Sequence, residues 1–131
     1  MAGIPIKYRI KDFQNTAFKK CSPLAFFLFI GHIIEFDERI PNYKDKLKAI
    51  RQQYGRYEFY VGLTDLEDEN VWKWSSSGRI LSPSSNNIPW DDGEPNNVKS
   101  EDCALVQAIN LYLIDINCSI RSNIICEKNV Q

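Results

Sequence analysis

Four cysteines, Cys21, Cys103, Cys118 and Cys126, constrain the fold of this 131-residue chain more than any other feature. None belongs to a CxxC pair, and the single histidine, His32, stands at no zinc-ligand spacing from any of them. A zinc site is therefore not indicated. An even number of widely spaced cysteines in a small domain points instead to two disulfides and an oxidising compartment, so a secreted or extracellular location is expected. The spacings alone permit three pairings.

The length suits one domain over 1–131, and a hydrophobic fraction of 44% is enough for a core. With 16 Lys+Arg against 17 Asp+Glu, the net charge of -1 gives no general attraction to nucleic acid or membrane. The apolar run Leu24 to Ile34 is too short to cross a bilayer and lies too deep for a signal-peptide core. No signal is visible at Met1, and the chain is read as a fragment, a mature form or the product of an imperfect gene assignment.

Charge is unevenly placed. Bases dominate the first 56 residues, and acids dominate from Asp65 to Asp115. Lys7 to Ile10 is strand-like, Phe13 to Cys21 fits a helix, and Gly31 to Ile34 fits a strand start with His32 as an ordinary strand residue. Asn42 to Tyr54 carries Tyr43, Leu47, Ile50 and Tyr54 at helical spacing, with Gly55 as its stop. Glu58 to Leu63 is rich in aromatic and β-branched residues and predicts a strand. From Thr64 to Lys99 the composition is that of a long loop, in which Trp72, Trp74 and Trp90 are expected to act as core anchors. Cys103 to Ala108, Leu111 to Asp115 and Asn123 to Glu127 predict three short strands.

The chemistry concentrates in the acidic half. Glu94-Pro95-Asn96-Asn97 stands seven residues before Glu101-Asp102, and together they offer carboxylate and amide oxygens. Calcium takes six to eight such oxygen ligands. The Glu94–Pro95 bond is a candidate cis peptide. Asp115 would join the group if a Cys103–Cys118 bridge folds its strand back. Taken alone, Asp65 and Glu69 read as a solvated turn. Asn117-Cys118-Ser119 is formally a glycosylation sequon, discounted because a bonded cysteine at its centre hampers modification.

From Phe59 to Lys128 the chain resembles the C-type lectin domain family. The resemblance rests on Val61-Gly62-Leu63-Thr64-Asp65, Trp72-Lys73-Trp74, Trp90 ahead of Gly93-Glu94-Pro95-Asn96-Asn97, Glu101-Asp102-Cys103-Ala104, Asp115 three residues before Cys118, and Ile125-Cys126-Glu127-Lys128. Upstream, Ala17 to Cys21 looks like the first helix of that family, so the first half matches only in outline. The resemblance implies an α+β double-loop domain, two helices flanking small antiparallel sheets, with a core over 7–128 and an atypical apolar insertion at 22–30. It also implies the pairs Cys21–Cys126 and Cys103–Cys118. These would close loops of about 105 and 15 residues, on the order of 3–5 kcal/mol each in the chain-entropy model.

The resemblance further implies two calcium positions. The sugar-binding one maps to Glu94, Asn96, Glu101 and Asp115. The auxiliary one maps to Asp65, Glu69, Asn97, Glu101 and Asp102. The Glu-Pro-Asn order resembles members that prefer mannose, fucose or N-acetylglucosamine, and the implied function is calcium-dependent glycan recognition or innate defence. One departure weakens this: Leu113-Ile114-Asp115 puts isoleucine where the family has asparagine, and isoleucine can neither coordinate nor donate. The alternative is a lectin-like module that binds a protein or glycoprotein and has lost sugar binding. An enzyme is disfavoured, because carboxylates gathered around a cation act as ligands and a lone histidine builds no nucleophile–base pair. A shallow monovalent site gains from clustering, so a homo-oligomer is expected.

Overall fold

The computed structural model describes residues 6–11, 32–40, 43–82, 88–96, 98 and 100–129. The expected helix at Phe13 to Cys21, the apolar segment 22–30, Cys21 and Asn97 lie outside these. The elements run β1 (Ile6–Lys11), β2 (His32–Ile33), α1 (Tyr43–Tyr54), β3 (Phe59–Thr64), β4 (Lys73–Trp74), β5 (Cys103–Val106), β6 (Leu113–Ile116) and β7 (Asn123–Asn129). The helix and the strands follow the sequence expectations to within a few residues. β4 lies within the segment expected as a long loop, because two residues pairing with Leu63 and Thr64 leave no periodic signal in the sequence.

One sheet joins all seven strands in the order β1-β7-β3-β5-β6, with β2 on β7 and β4 on β3. Cys126 is paired with Arg9 of β1 and with Ile33 of β2, so β7 is flanked on both edges. The start of β7 also meets β3 in parallel, at Phe59↔Asn123 and Tyr60↔Ile124. Every other pair is antiparallel, as expected. The parallel pair arises because β7 returns across the whole domain to lie beside β3.

Both faces of the sheet are buried, and the period-2 alternation of strands sorts the side chains. Phe59, Val61, Leu63, Ala104, Val106, Leu113 and Ile125 face one cluster, together with Leu47 and Ile50 of α1 and with Trp72, Trp74 and Ile88. Tyr60, Cys103, Leu105, Ile116, Cys118, Ile124 and Cys126 form the other. The three-tryptophan expectation holds: Trp72 and Trp74 are buried, and Trp90 packs edge-on to Trp72 at 5.1 Å.

Local features explain how the elements close. Gly55, at φ +99°, ends α1 with its N–H on the carbonyl of Arg51 at 2.8 Å. Gly62 sits mid-strand because a Cβ there would meet Ile33 Cγ2 at 2.8 Å and Ser75 Oγ at 3.1 Å. Cys103–Cys118 ties β5 to the end of β6, as the resemblance implied. Cys126 is also disulfide-bonded, while its expected partner lies outside the described residues.

Two ion pairs on buried carboxylates go beyond what the sequence predicts. Arg79 Nη1 donates to both oxygens of buried Glu38 at 2.7 and 2.8 Å, and Trp74 Nε1 adds a third donor at 3.3 Å. Buried Glu127 accepts from Lys46 of α1 at 3.0 Å, from the backbone of Glu35 at 3.2 Å, and lies 3.1 Å from His32 Nε2. His32 is thus a strand residue, as expected, but one that helps hold α1 and β2 to β7.

Candidate functional site

Strand β6 supplies the fixed point of the site. Leu113 and Asp115 alternate with Ile114 and Ile116, so Asp115 shares the face of buried Leu113 and is itself only 2% exposed. The loop 88–96 is clamped to the same strand. Leu113 N–H donates to the Pro89 carbonyl and Asp91 N–H to the Leu113 carbonyl, each at 2.8 Å, which makes Trp90 an isolated bridge partner of Leu113. A turn follows, with Glu94 N–H on the Asp91 carbonyl at 2.9 Å and Gly93 at φ +79°. The Glu94–Pro95 bond is cis.

This route brings Glu94, Asn96 and Asp115 together. The backbone N–H of Asn96 lies 3.1 Å from Asp115 Oδ1 and 3.3 Å from Glu94 Oε1, and its side-chain amide lies 3.4 Å from Glu94 Oε2. The side-chain Oδ1 of Asn96 accepts from Val98 N–H at 3.1 Å, which turns the amide NH2 toward Glu94 Oε2. Burial, reinforced by the adjacent Asp115 carboxyl, pushes Glu94 up to about 7. Glu101 is also raised, first by burial and then by the charge of Asp115. The sequence missed Asp91 as the residue that steadies this loop. Its carboxylate accepts from Gln107 Nε2 at 2.8 Å, which holds it below the usual carboxylate range. The Asp-Asp-Gly turn composition at 91–93 was the available signal.

A second group adjoins the first. Asp65, Glu69 and Asp102 each bring a carboxylate oxygen within 4.8 Å of the others. Among the described residues this is the one carboxylate trio gathered so closely; Glu94, Glu101 and Asp115 do not close to that distance. Asp65 sits at the end of β3 and is 2% exposed. Its N–H donates to the Asp102 carbonyl at 3.1 Å, and its Oδ2 accepts from Asn70 N–H at 2.9 Å. Burial raises both Asp65 and Asp102, and Asp102 is raised further by Asp65 and Asp115. Asp102 therefore feels carboxylates of both groups.

The donor set suits a hard divalent cation. Asp65 Oδ1, Asp102 Oδ1 and Glu101 Oε1 are buried oxygens without a hydrogen-bond donor. Buried acceptors are ordinarily satisfied, and several like charges in one place are costly unless something positive offsets them. Carboxylate and amide oxygens are the ligands calcium takes, and C-type lectin domains generally depend on that ion. Ile114, by contrast, packs against the second core cluster, opposite Leu105 of β5, and offers nothing to the site.

Comparison with known proteins agrees with this architecture. Residues 31–128 match the family model described as the lectin C-type domain. A perlucin-like protein of Mytilus galloprovincialis is 33% identical over 73 residues, 55% of this chain and 42% of that protein. C-type lectin domain family 4 member E of Mus musculus is 34% identical over 95 residues, 71% of this chain and 38% of that protein. The chain thus spans less than half the length of these relatives. Among solved structures, the mouse scavenger receptor C-type lectin carbohydrate-recognition domain superposes with a TM-score of 0.60 at 29% identity, covering 77% of this chain and 72% of that one. The tunicate lectin TC14 of Polyandrocarpa misakiensis superposes at 0.63 and 21% identity, over 95% of this chain and all of that one, a likeness of fold. The family consists of non-enzymatic binding proteins. From its fold, its Cys103–Cys118 bridge and the family match over 31–128, this chain belongs to the C-type lectin domain family.

Proposed function

We propose that this chain, as one domain over 1–131, binds glycans of the mannose, fucose or N-acetylglucosamine type in a calcium-dependent way, on the extracellular side. Glu94, Asn96, Glu101 and Asp115 are the ligands of the sugar-site ion. Asp65, Glu69, Asn97, Glu101 and Asp102 are those of an auxiliary ion. When bound, calcium supplies coordination positions for two adjacent sugar hydroxyls. Glu94 accepts a hydrogen bond from one hydroxyl, and the Asn96 amide donates to the other. That split of acceptor and donor selects the diol geometry.

The observation that carries this reading is the convergence of Glu94, Asn96 and Asp115 beside buried carboxylate oxygens that lack donors. The test is chromatography of the folded domain on immobilised mannose in 10 mM calcium. Retention with release by EDTA is expected; flow-through with native circular dichroism rejects the reading.

A second reading is favoured by Ile114, a half-buried side chain that can neither coordinate a cation nor donate to a sugar where the family has asparagine. In it the domain is a protein-binding relative with weakened sugar affinity. Ile114→Asn distinguishes the two. At least a tenfold gain in mannose affinity supports the weakened-site reading, because each polar contact contributes about 1 kcal/mol or more. Unchanged affinity counts against any role for position 114.

A further inference from the structure

We infer that a second ligand site, independent of calcium, lies between α1 and the turn joining β5 to β6, and that it takes a small amphipathic anion. The ligand is a single apolar ring bearing a sulfate or carboxylate. The site is a cavity of about 230 Å³ lined by Lys44, Leu47, Lys48, Pro89, Asn110, Leu111 and Tyr112. That volume suits one ring and its oxyanion rather than an oligosaccharide.

Its walls divide by chemistry. Leu47 and Pro89 are buried and Leu111 half-buried, which makes an apolar interior. Lys44 and Lys48 stand at i and i+4 on one helix face, about 6 Å apart along the axis. Both are exposed, and neither makes an ion pair among the described residues. Two like charges at that spacing repel until an anion joins them. Among the described residues, no carboxylate lines the cavity. The acid behind its wall, Asp91, is already held by Gln107 Nε2, by the N–H of Asp92 and by Asn110. The charge balance of the opening is therefore positive.

The cavity is also held in shape. Arg51 Nη2 donates to the carbonyls of Ala108 and Ile109 at 2.5 and 3.2 Å, pinning the turn to α1. Asn110 Oδ1 accepts from Tyr112 N–H at 2.9 Å, and Gln107 and Tyr112 close the turn backbone to backbone at 2.9 Å. Leu111 is kept at φ +65°, a conformation unfavourable for a branched apolar side chain, and it lines the cavity. Such strain persists only where the surroundings fix it, and it gathers at ligand sites. Asp115 lies three residues beyond Tyr112 along the chain, about 10 Å at strand rise, so the two sites are separate.

The test titrates the 15N-labelled domain, in EDTA, with 4-methylphenyl sulfate, its uncharged parent 4-methylphenol, and inorganic sulfate. Saturable shifts at residues 44–48, 89–90 and 110–112 are expected for the aryl sulfate. The other two probes are expected to bind at least tenfold more weakly. Lys44→Gln with Lys48→Gln should weaken aryl sulfate binding at least tenfold without altering the circular dichroism, and each single change should cause part of that loss. Equal binding of all three probes, shifts elsewhere only, or full affinity in the double variant overturns the inference. Because calcium is absent throughout, none of these outcomes bears on the Glu94–Asp115 site.

Discussion

Asp102→Asn should change the stability of the domain in opposite directions with and without calcium. Asp65 and Asp102 bring oxygens within 4.8 Å of each other, and each has an oxygen without a donor. At that distance two carboxylates repel by about 1–3 kcal/mol for an effective dielectric between 80 and 20. Asparagine removes the repulsion and supplies an NH2 group to the orphan Asp65 oxygen. The variant without calcium should therefore be about 1–2 kcal/mol more stable than the native domain. The same change deletes a cation ligand. The native domain should gain about 1.4–2.7 kcal/mol in 10 mM calcium if Kd is about 10⁻⁴–10⁻³ M, the range of extracellular modules. For a chain of this size that is a rise in Tm of about 5–10 °C. Thermal unfolding by circular dichroism at pH 7.5, in EDTA and in calcium, measures both effects. A variant that is destabilised in EDTA and still rises fully in calcium would refute the cage.

Acidity should act on the same site. Between pH 4.5 and about 7 the folded, calcium-free domain holds a proton on Glu94 that the unfolded chain has released. Stability in EDTA should accordingly fall as pH rises through that window, by about 3 kcal/mol at most and about 1–2 after allowance for partial exposure. Urea unfolding at pH 5 and pH 7.5 tests this, and greater stability at the higher pH contradicts it. With calcium present the order should reverse, because the ion binds the deprotonated carboxylates. Away from the site, Arg79→Met strips buried Glu38 of its two shortest hydrogen bonds. A loss of about 3 kcal/mol is expected by urea unfolding, with partial recovery in the Glu38→Gln, Arg79→Met double variant; a loss below 1 kcal/mol would show that Trp74 alone satisfies the carboxylate.

What was legible in the sequence was local. Leu47 and Ile50 recur at helical spacing and became the buried face of α1, and the alternation of Phe59, Val61 and Leu63 against Tyr60 became the two faces of β3. Gly55 marked the helix end through its own backbone conformation. The parallel meeting of β3 and β7 was not legible, because residues more than sixty positions apart choose their register through the packing of both sheet faces. Glu38–Arg79 and Glu127–Lys46 escaped for a related reason: a charged residue in sequence looks solvated until its partner from another element is known. The candidate site stood between these cases. Composition at 91–102 suggested oxygen ligands and a Cys103–Cys118 bridge offered a route to Asp115, but only the family resemblance joined them to Asp65. The packing of half-buried Ile114 against the second cluster required the alternation of β6 in three dimensions.

Equilibrium dialysis of calcium against the folded domain reaches the central proposal directly. Saturable uptake of one to two ions per chain, with Kd about 10⁻⁴–10⁻³ M and loss of an ion on Glu94→Gln with Asp115→Asn, is the predicted result. No uptake up to 10 mM calcium by protein with native circular dichroism would contradict it.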